Sequence, residues 1–541
     1  LKSLFSSLLH PRKLLASGIS EVERAWPPWA RVDLLAALVG VVSGCLAAAL
    51  YGGVHLFEAF LLQGPLGIPE DLSGRFHLSP LTVTLLLIIP ALGGLGVGLV
   101  AKYACAEAGG GGTNDILRSY HRRGAVMSGA IVPFKWLTSC LTLGSGGAGG
   151  NEGPAAQIGA AFGSWLAQKL DLGLAERGLL LTAGVAGGIG AIFRAPLGGA
   201  LFACELYYSS PELESTALLP SLIASVSAYF VFGLFCGYQS LIPGDTPFTL
   251  SVGNFVALGL TAVLCALGAR VYVWWMKLCS KQFSGLLPMP WRPAVGGFLT
   301  GALALGGLLI SQHWLSSDGR AWAVLGEGYP ILSSAVLAGA GAGVLLLMLV
   351  AVGKLLASGL TVGSGGSAGV FAPSMIIGGC LGAVACIAFA ALGWSPVAAK
   401  AYVLAGMAAF FAAGTACPLA SLIIITEVAQ GYHLLPGLML AVALGYLLRP
   451  KPGLFKDQVV GSLESPVHQA ELESAFLASR RVGQLCRRVA KARRGQGPAL
   501  KEDQNLGDAL SMLRDSGAAE LPVLNADGVV VGLFAYGDMF H

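Results

Sequence analysis

The sequence predicts an all-α polytopic membrane protein, built as a sequence repeat with broken half-helices and followed by a small cytoplasmic α/β module. Three observations carry this. Hydrophobic residues make up 55% of the 541-residue chain and charged residues only 11%, with a mean hydropathy of +0.72. A soluble globular chain carries about 25% charged residues, so this one cannot cover itself with a water-facing surface. The stretches 78–101, 215–244, 246–269, 328–353, 355–399 and 401–426 contain no Asp, Glu, Lys or Arg, and a spanning helix needs about 20 apolar residues. Finally, a Gly-rich segment occurs twice.

In chain order, residues 1–31 form a flank carrying Lys2, Arg12, Lys13, Arg24 and Arg31. The chain opens on Leu1 and is read as starting inside a longer protein. The body, 32–466, is expected to hold ten or more spanning or half-spanning helices, the last ending near Leu448. Some uncharged stretches hold one span and others two. The segments 153–167 and 178–193 are short, bounded by Lys169 and Arg194, and read as helices that stop partway through the bilayer. Glycine accounts for 77 residues, which favours closely packed membrane helices. Composition changes after Arg449-Pro450-Lys451-Pro452. The linker 467–498 carries Arg480, Arg481, Arg487, Arg488, Lys491, Arg493 and Arg494. With basic flanks at both ends, the positive-inside rule places both termini in the cytoplasm. In the tail, 499–541, residues 506–516 have helical spacing. Strands are expected at 520–524 and 529–534 around the turn Asn525-Ala526-Asp527-Gly528.

Several function classes drop out. A net charge of +4 is too small for a nucleic-acid binder of this size. The eleven cysteines are scattered without a CxxC, mostly in apolar runs where Cys acts as a small hydrophobe. HExxH, GxxxxGK[ST] and GxSxG do not occur. No cofactor, metal or enzymatic activity is expected.

The repeat points to chemistry. Gly-Ser-Gly-Gly-Ala-Gly-Gly-Asn-Glu-Gly-Pro at 144–154 pairs with Gly-Ser-Gly-Gly-Ser-Ala-Gly-Val-Phe-Ala-Pro at 363–373, identical at six of eleven positions and offset by 219. Pro196-Leu197 with Glu205 matches Pro418-Leu419 with Glu427, offset by 222. The halves are taken as about 32–236 and 254–466. A Gly-rich run propagates helix poorly, and Pro is tolerated in a helix's first turn. Each motif therefore reads as a loop leading into a fresh helix N-terminus inside the bilayer. Such an end presents unpaired N–H groups and the positive end of the dipole, an anion site without a lysine. Two of them can converge near the midplane.

Glu152 falls in the first turn of such a helix, where a carboxylate is costly and a functional candidate by default. Ionised, it can occupy the anion site; protonated, it releases it. Helix capping alone is the plainer alternative. Glu205 and Glu427 close apolar helices, as structural carboxylates or pathway groups. Lys135, nine residues before Gly144, reads as a packed cation or as electrostatic support for the anion path. Tyr432 reads as an interfacial aromatic.

These residues resemble the CLC family of chloride channels and chloride/proton antiporters. Gly-Asn-Glu-Gly-Pro (150–154) and Gly-Val-Phe-Ala-Pro (369–373) are similar to its GKEGP/GREGP and GxFxP signatures, in the right order. The resemblance implies an inverted-repeat fold, a homodimer with one pore per subunit, Glu152 as external gate, and backbone amides of Val370 and Phe371 on the anion. The implied anion-binding set is Gly111, Gly112, Gly150, Asn151, Gly153, Val370, Phe371 and Phe455, with Lys135, Glu205 and Leu206 along the pathway. Four departures stand out. Gly111 occupies the family's serine position in GSGIPE, and Phe455 the tyrosine position of Tyr-x-x-Gln. Asn151 replaces a basic residue before the gate. Leu206 replaces the internal proton-transfer glutamate. The tail resembles one CBS motif, with Leu521-Pro522-Val523 and Gly537-Asp538 in place; Ala535 departs from its nucleotide pattern, so no nucleotide is expected.

The sequence points to permeation of chloride, and of other small anions such as nitrate, gated by protons on Glu152 in a lipid bilayer, with the bacterial inner membrane as the setting. Leu206 and Phe455 favour a passive channel over an antiporter lacking the internal glutamate, and the family resemblance implies a voltage-gated protein. An intramembrane serine protease lacks a matching histidine motif and would not need the Gly-rich run twice. A cation or neutral-solute carrier would want carboxylates or carbonyl ends, whereas these runs lead into helix N-termini.

Overall fold

The structure is a computed structural model describing residues 28–66, 79–239, 241–242, 251–314, 324–329, 343–394, 399–468, 480–488, 498–516 and 518–535. The basic residues Lys2, Arg12, Lys13, Arg24, Lys491, Arg493 and Arg494, and the Gly537-Asp538 pair, lie outside the described residues. The chain divides into two compact units, Leu1–Val460 and Gly461–His541.

The first unit is helical. The first repeat contains α1 (Pro28–Glu58), α2 (Pro80–Tyr103), α3 (Thr113–Arg122), α4 (Ile131–Gly144), α5 (Glu152–Lys169), α6 (Leu174–Phe193), α7 (Pro196–Glu205) and α8 (Leu218–Cys236). The second contains α9 (Val252–Leu286), α10 (Trp291–Trp314), α11 (Val344–Gly363), α12 (Phe371–Ala391), α13 (Ala399–Thr415), α14 (Pro418–Ala429) and α15 (Leu435–Leu447). Among the described residues, eight helices are long and apolar enough to cross a membrane. Others, such as the 10-residue α3 and α7, rise only about 15 Å, half of a hydrocarbon core of roughly 30 Å.

The repeat is visible in the packing. α5 lies on α6 as α12 lies on α13. The first pair closes where a Cβ on Gly159 would stand 2.1 Å from the carbonyl of Gly184. The second closes at Gly378 and Gly406, where the same distance is 2.4 Å. Only glycine permits either approach, and the two pairs sit at the repeat's own offsets. The expected half-helix at 178–193 is corrected: α6 has 20 residues and is one of the crossing helices. Glu176 and Arg177, which bound the apolar run, lie in its first turn, where Glu176 accepts the Gly173 N–H at 3.2 Å.

The second unit carries β1 (Arg487–Arg488), β2 (Leu500–Lys501), α16 (Leu506–Ser516), β3 (Glu520–Leu524) and β4 (Val530–Ala535), in sheet order β1-β4-β3-β2. β3 and β4 are antiparallel; β2 and β3 are parallel. Leu506, Ala509 and Leu513 of α16 pack on Leu500, Leu521, Val523 and Phe534. β4 begins one residue later than expected because Val529 closes the turn, donating to Asn525 Oδ1 at 2.9 Å.

Candidate functional site

The two Gly-rich motifs meet. Gly150 N–H donates to Gly369 O at 3.0 Å, and Gly369 N–H to Gly150 O at 2.7 Å. Directly after this bridge, α5 opens at Glu152 and α12 at Phe371, with Val370 preceding it. The first N–H groups of each helix have no intrahelical acceptor and mark the positive dipole end. The loop before α3 completes the cluster: a Cβ on Gly153 would stand 2.6 Å from Gly111 O and 3.0 Å from Gly369 Cα.

Glu152 is 1% exposed. Its Oε1 accepts the Tyr329 hydroxyl at 2.7 Å. Its Oε2 lies where a Cβ on Gly150 would be, 1.9 Å away, and 3.4 Å from a Cβ on Gly369. The carboxylate of the first repeat thus rests at the opening of the second repeat's helix. Oε2 is buried and has no hydrogen-bond partner among the described residues. Asn151, also buried, donates its Nδ2 to Glu327 Oε1.

Two buried lysines hold two loops in the same way. Lys135 Nζ donates to Gly110 O at 2.6 Å, Ala108 O at 3.4 Å and Gly109 O at 3.5 Å. Lys354, at the repeat offset of 219, donates to Val324 O at 3.5 Å, Leu325 O at 3.3 Å and Gly326 O. Both loops place glycines at positive φ two residues apart: Gly110 and Gly112 at 68° and 84°, Gly326 and Gly328 at 55° and 86°. Glu327 is therefore the counterpart of Gly111, and Tyr329 that of Thr113. One loop ends in small side chains; the other ends in an acid and a phenol bonded to Asn151 and Glu152.

The small-residue loop opens on a cavity of about 370 Å³ lined by Gly111, Gly112, Val370 and Phe455. Arg118, Lys277, Arg292 and Lys456 also line it, against one carboxylate, Asp115. Arg118 pairs with Asp115 at 3.3 Å and Asp457 at 3.1 Å. Phe455 is 4% exposed and meets the Phe371 ring edge-on at 6.0 Å. It is positioned by Gln458, whose amide donates to Leu206 O at 2.9 Å and Thr415 O at 3.1 Å. At Gly111 a Cβ would meet only Ala368 O at 3.5 Å and Val362 Cγ1 at 3.9 Å, so a serine fits the space.

Glu205 and Glu427 cap each other's helices. Glu205 accepts the N–H groups of Leu419 and Ala420 at 3.1 and 2.8 Å. Glu427 accepts those of Leu197 and Gly198 at 3.2 and 2.8 Å. Glu205 is thereby committed to the opening of α14, and Leu206 beside it is fully buried. Tyr432 is exposed.

The structure thus gathers Gly111, Gly150, Asn151, Glu152, Gly153, Val370 and Phe371 at one centre, with Gly112, Phe455 and Lys135 on its cavity side. Glu205 and Leu206 stand apart, at the end of α7. Glu327, Tyr329 and Lys354 were not singled out from sequence. Lys354 carried a signal, its exact repeat spacing from Lys135; the other two carried none.

Comparison with known proteins gives the family and the fold. Residues 93–449 match the family described as voltage gated chloride channel. An uncharacterized protein of Methanocaldococcus jannaschii, MJ0305, is 30% identical over 323 residues, covering 60% of this chain and 75% of that one. The voltage-gated ClC-type chloride channel ClcB of Escherichia coli is 30% identical over 426 residues, 77% of this chain and 94% of that one. A CLC-type fluoride/proton antiporter has the same fold, with a TM-score of 0.65 at 20% identity over 80% of this chain and 98% of that one. So does a slow cyanobacterial Cl-/H+ antiporter, with a TM-score of 0.63 at 21% identity over 83% and 98%. The chain belongs to the CLC family of channels and transporters. It is a multi-pass integral membrane protein of that fold.

Proposed function

We propose that this protein conducts chloride and similar small anions across the membrane, with Glu152 as a protonatable gate. One observation carries the reading: the Glu152 carboxylate rests at the opening of α12, beside the Gly150–Gly369 bridge, where an anion would be held by the same helix end. An ionised carboxylate and a permeating anion compete for one positive site. Protonation removes the competitor, so anion flux rises as pH falls. The basic cavity lined by Gly111, Gly112, Val370 and Phe455 supplies a route to that site.

Val370 and Phe371 hold the anion through backbone N–H groups in this reading, with Gly150, Asn151 and Gly153 shaping the gate. Lys135 biases the path electrostatically. Leu206, without an acid, and Phe455, without a hydroxyl, favour a passive channel. A second reading, chloride/proton antiport, is favoured by one buried glutamate described below. The chain works as a homodimer with both termini cytoplasmic, in a bacterial inner membrane, and its tail serves as a single CBS motif without nucleotide.

The test is chloride flux in liposomes of purified protein from pH 4 to 8. Glu152→Gln is expected to hold flux at its acidic value across the range. Wild type without chloride flux, or a variant that keeps the wild-type pH profile, sinks the reading.

A further inference from the structure

A carboxylate that the gate does not use lies buried beside the C-terminal end of α7. Glu214 is 6% exposed and follows α7 on the loop leading to α8. Its backbone N–H donates to Cys204 O at 2.9 Å, which ties it to the end of α7, beside Leu206. Three hydroxyls meet its carboxylate. Tyr120 donates to Oε2 at 2.9 Å, Tyr208 to Oε2 at 2.8 Å, and Thr216 to Oε1 at 2.8 Å. Thr216 is itself exposed. The carboxylate therefore has solvent one hydroxyl away on one side and a phenol pair on the other.

The polar chain continues inward. The Tyr120 ring stacks on Tyr207 at 3.9 Å, and the Tyr207 hydroxyl shares a hydrogen bond of 2.7 Å with Thr182 Oγ1 on α6. α6 runs antiparallel to α5, with Gly163 against Leu180, Gly159 against Gly184 and Gly188 against Ala155. By that register Thr182 lies level with Ala161, nine residues along α5 from Glu152. At 1.5 Å per residue the rise along α5 from that level to Glu152 is about 14 Å. The titratable groups facing Glu214 are Tyr120 from α3, Cys204 from α7, and Tyr207 and Tyr208 from its own loop, with His121 of α3 against the rings of Tyr120, Tyr207 and Tyr208 and Glu212 beside Tyr208.

We infer that Glu214 is the proton-transfer group on the side of the membrane opposite the gate, in place of the acid absent at Leu206. It takes a proton from solvent at Thr216 and becomes a neutral acid. It then releases that proton inward, returning to carboxylate, while Glu152 becomes the neutral acid. An ionisable group inside a membrane domain is kept where it serves a pathway. The simpler account, a carboxylate tying α3 to the loop before α8, predicts a loss of stability and no change in the proton-to-chloride ratio.

The inference rests on the anion-transport reading in its second, proton-coupled form, and the experiment separates it from passive anion transport. Purified protein in liposomes is given a chloride gradient, and proton and chloride movement are recorded together. Wild type is expected to drive protons uphill. Glu214→Gln is expected to keep chloride flux within about twofold while proton flux falls at least about tenfold, and Leu206→Glu added to it is expected to restore proton flux. Chloride flux without proton flux in wild type overturns the inference alone. So does a Glu214→Gln variant with an unchanged proton-to-chloride ratio. No chloride flux in wild type overturns the anion reading and this one with it. Should Glu214→Gln fail to fold, the double variant Tyr120→Phe/Tyr208→Phe keeps the acid and removes two donors. A lower proton-to-chloride ratio there supports the inference, and an unchanged ratio overturns it.

Discussion

A single carboxylate oxygen sets the chemistry at Gly150. Glu152 Oε2 occupies the space that any side chain at residue 150 would need. Gly150→Ala is therefore expected to displace the gate, flatten the pH profile of chloride flux, and destabilise the protein by about 1–3 kcal/mol through overpacking. Thermal melting and flux across pH 4 to 8 check both effects. Gly111 is the opposite case, since a serine fits there without a clash. Gly111→Ser is expected to restore a hydroxyl donor to the cavity and raise chloride over nitrate selectivity severalfold in bi-ionic reversal potentials, with melting unchanged. Glu152 was legible as a candidate because acids are few and it follows a Gly-rich run into a Pro. Its hydroxyl partner was not. Tyr329 and Glu327 lie on a loop that shares little sequence with its counterpart, and their equivalence rests on backbone angles and a lysine's reach.

At the level of elements, the repeat offset placed Glu205 and Glu427 at matching helix ends but could not say what they touch. Their acceptors belong to each other's helices, and that exchange exists only once α7 and α14 pack together. A carboxylate on two helix-end N–H groups is a charge-assisted contact worth about 1.5–3 kcal/mol. Glu205→Ala and Glu427→Ala are each expected to lower stability by that amount. Because the two contacts share one pair of packed helices, the double variant should lose less than the sum. Chloride flux per folded protein should persist, measured after detergent melting curves fix the folded fraction. The boundaries of α6 show the limit of reading charge as a stop signal: Glu176 and Arg177 sit inside its first turn.

Across the whole transport unit, the two halves are alike in backbone and unlike in what they display. Lys135 and Lys354 each gather three carbonyls of a loop into one turn. Lys135→Met and Lys354→Met leave those carbonyls buried without a donor, at a cost of about 1–3 kcal/mol each. Both are expected to melt lower by similar amounts. Lys135→Met, whose loop borders the cavity, should also slow chloride flux, whereas Lys354→Met, whose loop carries Glu327 and Tyr329 against Asn151 and Glu152, should alter its pH profile. The overall helical class and the repeat were plain from composition and spacing. The asymmetry between an open loop and a closed one was not, because it depends on which side chains stand at two equivalent turns.

The bridge between Gly150 and Gly369 has a consequence for how the protein is made. During synthesis the first half of the chain is threaded into the membrane long before residue 369 has been translated. Until then Glu152 is a carboxylate without the helix end it rests on, a costly group to leave in lipid. The nascent half must keep that segment near the interface or shield it, and settle it only when the second half arrives. A chain halted before residue 369 would carry Glu152 without the helix end that it rests on.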